Sequence, residues 1–111
     1  MQKITEIPKL SVRKVDSHKG DFGKVCIIAG SVGFSGAAAI CAKSALRSGS
    51  GLVRLAVPKS ILPIVAAVEP CYTTIPLAED LKGRISSKAI DAVLDAVEEN
   101  DVIAFGPGVG V

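Results

Sequence analysis

Apolar residues recur along the chain in two spacings, and each spacing predicts a kind of element. "KVCIIAG" (residues 24–30) is an unbroken apolar run, rich in β-branched residues and closed by Gly30. A strand buried on both faces of a parallel sheet has this composition. "GLVRLAVP" (51–58) predicts a second strand ended by Pro58, and "CYTTIPL" (71–77) a weaker third. Pro76 cannot donate to a sheet ladder, so the third strand is expected at an edge or strand end. "DVIAFG" (101–106) predicts the last strand.

Between these runs the pattern turns helical. "AAAICAKSALRSGSG" (37–51) is rich in helix formers, with Lys43 and Arg47 four apart and Gly49 and Gly51 placed as stops. "SILPIVAAV" (60–68) predicts a short helix capped by Ser60, with Pro63 in its first turn and Glu69-Pro70 ending it. "SSKAIDAVLDAVEEN" (86–100) is the clearest helix, with Ser86 or Ser87 as its cap. Ile90, Val93, Leu94 and Val97 form its apolar face; Lys88, Asp91, Asp95 and Glu98 lie opposite. The first fifteen residues are read as extended, and "SHKGDFG" (17–23) as a turn. Strands alternating with helices predict an α/β fold with a mostly parallel sheet and flanking helices. No repeat or linker divides residues 1–111, so one unit is expected.

Composition narrows the function classes. A chain 49% hydrophobic and 22% charged is globular rather than disordered. A net charge of +2 argues against a dedicated nucleic-acid binder. Lys9, Arg13, Lys14, Lys19 and Lys24 make the first quarter basic, but Asp16 and Asp21 lie among them. A solvated turn and a phosphate patch are both open readings. Cys26, Cys41 and Cys71 are odd in number and widely spaced, so free, buried thiols in a reducing cytosol are expected and CxxC zinc spacing is absent. No apolar stretch is long enough to span a bilayer and no signal peptide is evident, so a soluble cytoplasmic protein with no membrane partner is expected.

Two glycine loops follow strands, at the sheet end where open α/β folds collect ligands. The first is Gly30-Ser31-Val32-Gly33-Phe34-Ser35-Gly36. Its GxxGxxG spacing is neither GxGxxG nor a Walker loop. It fits a tight strand-to-helix turn as well as a loop that lets backbone approach an anionic ligand. The second is Gly106-Pro107-Gly108-Val109-Gly110, which reads either as half of a binding device or as a loose tail. His18, the single histidine, lies beside Asp21 in a charged turn; that pair reads as turn structure before it reads as catalysis. Ser31, Ser35, Ser48 and Ser50 have no evident base, and Glu69, Asp80 and Asp101 lack metal-ligand spacing.

The whole string carries more than either loop. His18-Lys19-Gly20, Gly23, the strand Val25–Ala29, Gly30-Ser31, Gly36-Ala37-Ala38, Ala45-Leu46-Arg47-Ser48-Gly49, Gly51-Leu52-Val53 and the terminal Gly-Pro-Gly-Val-Gly occur in order. This series resembles the opening of the ADP- or ATP-dependent NAD(P)H-hydrate dehydratases, the YjeF C-terminal-domain family. The resemblance implies a ribokinase-like fold. It also implies repair of hydrated NADH and NADPH: a phosphoryl group is transferred to the hydrate's hydroxyl and phosphate is then eliminated. It assigns substrate binding to Ala37, Gly106, Gly108 and Gly110, with Gly36 and Ser31 beside them. The family's later Gly-Asp motif, which carries its catalytic aspartate, and a mid-domain histidine have no counterpart here. The resemblance therefore implies an N-terminal portion, inactive alone, with ADP or ATP and Mg2+ bound mainly through the C-terminal part. Such a piece is expected to form a homo-oligomer or to associate with the C-terminal half. Two rivals remain at this point: a ribokinase-like thiazole or pyrimidine kinase, and a non-enzymatic dinucleotide-binding module.

Overall fold

The apolar run at residues 24–28 becomes the central strand. In the computed structural model, which describes residues 2–110 except 4, 10 and 18–21, the order is β1 (Lys24–Ile28), α1 (Ser35–Arg47), β2 (Leu52–Pro58), α2 (Leu62–Val68), β3 (Thr73–Leu77), α3 (Ile90–Glu99) and β4 (Val102–Phe105). The strands pair in the order β3-β2-β1-β4, all parallel. Cys26 and Ile27 of β1 stand opposite Arg54 and Leu55 on one side and Ile103 and Ala104 on the other. β3 is an edge strand, as Pro76 requires.

Alternation divides β1 between two cores. Ile27 joins Val53, Leu55, Val57, Ala38, Ala39, Ala42 and Val65 beneath α1 and α2. Cys26 and Ile28 point the other way, to Ala56, Leu77, Ala89 and Ala96 beneath α3. A strand with helices on both faces has no solvent side, which explains its lack of polar alternation. Fully burying each Val, Leu or Ile among them contributes roughly 1.5–3 kcal/mol, and each alanine methyl less. On the first face Tyr72 Oη donates to the carbonyl of Val65, tying β3's approach to α2.

Several expectations change. α1 starts at Ser35, two residues early, because Gly36 and Ala37 already belong to its first turn. Its end agrees with expectation: Gly49, at φ +107, donates back to Leu46. Ser60 does not cap α2, which follows a 3-10 turn at Lys59–Ile61 and has no side-chain cap. Its hydroxyl donates instead to Glu79 Oε2 at 2.7 Å. Ser86 does cap the turn before α3, accepting from the Lys88 amide.

α3 turns inward a face rotated from the one its apolar residues predict, with Val93 common to both. Ala89, Ala92, Val93 and Ala96 contact the sheet, while Ile90, Leu94 and Val97 are 56%, 54% and 45% exposed. Small side chains let the helix approach closely, which rotates the larger ones outward. The residues expected to be extended before residue 15 form no strand among those described, and Val12 and Val15 are exposed. Arg13 stacks 3.9 Å over the Phe22 ring and donates to the Gly49 carbonyl at 2.8 Å, so this cation serves the fold. The His18-Lys19-Gly20-Asp21 turn lies outside the described residues. Of the thiols, Cys26 is buried, Cys41 half-buried and Cys71 exposed, the last against expectation; burial pushes Cys26 above its ordinary pKa.

Candidate functional site

Strand order places the two glycine loops. The chain proceeds outward from β1 through β2 to β3, then returns to the opposite side of β1 as β4. At such a reversal the loops leaving the two adjacent strands diverge, and a crevice opens beyond their carboxyl ends. Here those strands are β1 and β4, and the loops are 29–34 and 106–110.

The loops are joined by hydrogen bonds rather than splayed. The Gly106 amide donates to Ile28 O at 2.8 Å, and the Gly30 amide to Pro107 O at 2.9 Å. Ser31, only 2% exposed, donates from Oγ to Gly108 O at 2.7 Å. The Gly106-Pro107 peptide is cis. Gly108 sits at φ +73, and a Cβ there would lie 3.0 Å from Phe34 Cβ and 3.3 Å from Ala37 Cβ. Only glycine meets both demands, so the second loop rests directly on the first turn of α1.

That helix end is left open. Phe34 occupies the N-cap without a side-chain hydrogen bond, and no acidic residue lies in the first turn. The first amides of a helix carry unmatched partial positive charge and favour an anionic ligand. Gly36 is exposed there, in helical conformation, and a Cβ on it would meet nothing within 4 Å. Gly106 is likewise clear. Crowding explains neither glycine: the backbone at φ +93 accounts for Gly106, whereas nothing within the protein accounts for Gly36.

Ala37, Gly106, Gly108, Gly110, Gly36 and Ser31 therefore share one rim. Sequence reasoning missed the turn at residues 80–84 that completes it. The Val32 amide donates to Gly83 O at 2.9 Å, and a Cβ on Gly110 would lie 2.8 Å from Arg84 Cδ. Asp80 accepts from the Arg84 amide at 3.0 Å, Arg84 Nε at 2.9 Å and the Lys82 amide at 2.9 Å. The Arg84 amide leads the causes that hold its carboxyl below the ordinary value, with burial opposing. A groove of about 290 Å³ beside this turn is bounded by Val32, Ser60, Glu79, Lys82 and Gly83. Only a weak Asx-turn signal, an Asp two and four residues before the amides it accepts, marked this segment in the sequence. Among the described residues no group of three His, Cys, Asp or Glu is placed to hold a metal, and no helix is long and apolar enough to cross a membrane.

Comparison with known proteins gives this geometry a context. The bifunctional NAD(P)H-hydrate repair enzyme Nnr of Thermofilum pendens is 37% identical over 102 residues, covering 92% of this chain and 20% of that protein. The Dictyoglomus turgidum enzyme of the same name is 39% identical over 113 residues, covering 100% of this chain and 21% of that protein. The chain thus spans about a fifth of the length of the curated relatives it matches. A ribokinase-like superfamily protein from Enterococcus faecalis superimposes with a TM-score of 0.75 at 26% identity, covering 91% of this chain and 32% of that one. The ADP/ATP-dependent NAD(P)H-hydrate dehydratase of Bacillus subtilis, co-crystallized with ATP/Mg2+, superimposes with a TM-score of 0.62 at 24% identity, covering 90% and 42%. That last likeness shows a shared fold, and the ribokinase-like description rests on the Enterococcus faecalis structure. The family model for NAD(P)H-hydrate dehydratase matches residues 25–111, a span that includes all but the first residue of β1 and both glycine loops. The chain belongs to the NAD(P)H-hydrate dehydratase family.

Proposed function

We propose that this chain supplies one lip of the cleft in which hydrated NADH or NADPH is dehydrated at the expense of ADP or ATP. The observation that carries this reading is the junction of Ser31 and Gly108 at the sheet reversal, beside an uncapped helix start. Its physical logic is positional. The diphosphate of a dinucleotide is an anion, and the first amides of α1 are suited to anions. The space beside Gly36 and Gly106 is open, with nothing within 4 Å of where a Cβ would stand. The names of the relatives support the substrate class.

The described residues fit the organic substrate better than a metal–nucleotide complex. They provide no acidic cluster for Mg2+. In this reading ADP or ATP and Mg2+ engage polypeptide beyond this lip, and supply phosphoryl chemistry there. This chain's residues bind and orient the hydrate. β4 is an edge strand, and its Phe105 and Val102 are 68% and 56% exposed. Together with Ile90, Leu94 and Val97 they favour association with further polypeptide or a second copy. Unpaired thiols suit a reducing cytoplasm.

The test is conversion of hydrated NADH by the complete gene product. ADP or ATP with Mg2+ should restore NADH absorbance, and omission of the nucleotide should abolish the recovery. Phosphorylation of a thiazole or pyrimidine alcohol without turnover of the hydrate would replace this reading with a small-molecule kinase.

A further inference from the structure

The turn at residues 80–84 is built more firmly than a surface connection requires. Besides the three bonds to its carboxylate, Asp80 donates from its amide to Arg84 O at 2.9 Å, and the Gly83 amide donates to Asp80 O at 3.1 Å. The turn is pressed onto the first glycine loop. A Cβ on Gly83 would lie 2.2 Å from Val32 Cγ2, closer than any side chain tolerates. Arg84 leaves this turn with its Nε fixed on Asp80 Oδ2.

The direction so fixed carries the Arg84 stem under the second loop. Its Cδ and Cγ lie 2.8 and 3.1 Å from the point a Gly110 Cβ would occupy, and Ser31 Oγ lies 3.8 Å from the same point. Gly110 holds φ +89, so its backbone turns away where a side chain would meet this stem. Val32, Gly83, Arg84 and Ser31 thus gather around the side of Gly110 that bears no side chain, with Arg84 anchored by its ion pair to Asp80.

We propose that Arg84, clamped by Asp80, is a positioning residue for substrate: its stem sets the height of the Gly110 backbone in the lip facing the hydrated dinucleotide. This rests on the reading of the site given above. Asp80 already neutralises the guanidinium, so the role lies in geometry rather than in attracting anions. A backbone displaced by a fraction of an ångström at a binding lip weakens substrate affinity before it alters chemistry elsewhere.

The test is a set of variants in the complete gene product: Arg84→Ala, Arg84→Lys, Gly110→Ala and the double variant Arg84→Ala with Gly110→Ala. Arg84→Ala should raise the KM for hydrated NADH about tenfold, the order expected for a misplaced binding element. The KM for the nucleotide and the melting temperature should move little. Arg84→Lys keeps the stem and should restore most of the affinity. Gly110→Ala should raise the same KM in the wild-type and Arg84→Lys backgrounds, where Cδ remains, and less in Arg84→Ala, where the methyl has room. Additive effects in this cycle, or a fall in melting temperature with KM unchanged, would overturn the proposal. Should Arg84→Ala not fold, Arg84→Lys and Gly110→Ala carry the comparison. Should the wild type leave the hydrate untouched, the substrate reading fails by itself. Amide exchange then decides the positioning role: Arg84→Ala should accelerate exchange at Val109 and Gly110 but not in β1, and equal rates would refute it.

Discussion

Ser31 Oγ donates to the carbonyl of Gly108 at 2.7 Å, across a sequence separation of 77 residues. The bond joins the loop that leaves the first strand to the loop that leaves the last. Ser31→Ala should therefore destabilise the fold by about 1 kcal/mol, the usual net worth of such a bond. A shift in urea midpoint with unchanged slope is the expected readout. Affinity for hydrated dinucleotide should fall with it, since Gly108 loses its tether.

Gly36 offers a test in which stability and binding move in opposite directions. It is helical, exposed and free of neighbours, so Gly36→Ala should stabilise α1 by about 0.5–1 kcal/mol. If the open space above it belongs to substrate, the same methyl should raise the KM for the hydrate. A more stable variant with unchanged KM would remove Gly36 from the site.

Acid should weaken the 80–84 turn through a defined group. The folded pKa of Asp80 is held below its ordinary 3.8, first by the Arg84 amide. A lowered carboxyl pKa contributes stability that is fully present above the ordinary value and lost as pH falls through the folded one. The difference in denaturation midpoint between wild type and Asp80→Asn should be constant above roughly pH 5 and shrink below roughly pH 4. A difference that persists at low pH would show that the carboxylate's charge is irrelevant there.

The alternation of strand and helix was legible because β1, α1 and β2 each satisfy one periodicity along their length. The glycine loops were legible as loops, since no other residue tolerates such density, and α/β sheets fix where such loops emerge. The inward face of α3 was legible only at Val93. An amphipathic pattern assigns the largest apolar side chains inward, whereas close packing over Cys26 and Ile28 selected Ala89, Ala92 and Ala96. Ser60 has the composition of a helix cap, but Glu79, 19 residues away, competes for its hydroxyl. The Asp80–Arg84 clamp was invisible for a similar reason. Its bonds are local, yet its meaning comes from Gly110, which only the return of β4 brings within reach.

The outward apolar face of α3 and the free edge of β4 predict association of the isolated 111-residue chain. Sedimentation should detect species larger than a monomer. Leu94→Glu with Phe105→Lys should shift the distribution toward monomer without altering the far-ultraviolet spectrum, because both residues are more than half exposed. A strictly monomeric wild-type chain at high concentration would contradict this.

The hydrogen bonds from Gly106 to Ile28 and from Gly30 to Pro107 prolong the pairing of β1 and β4 past the strand ends. The mouth of the cleft is consequently an extension of the sheet, not an appendage. Its first residues, Gly106 and Pro107, should hold as long as the strands they prolong, and any small molecule captured at the rim should raise the temperature at which the sheet melts.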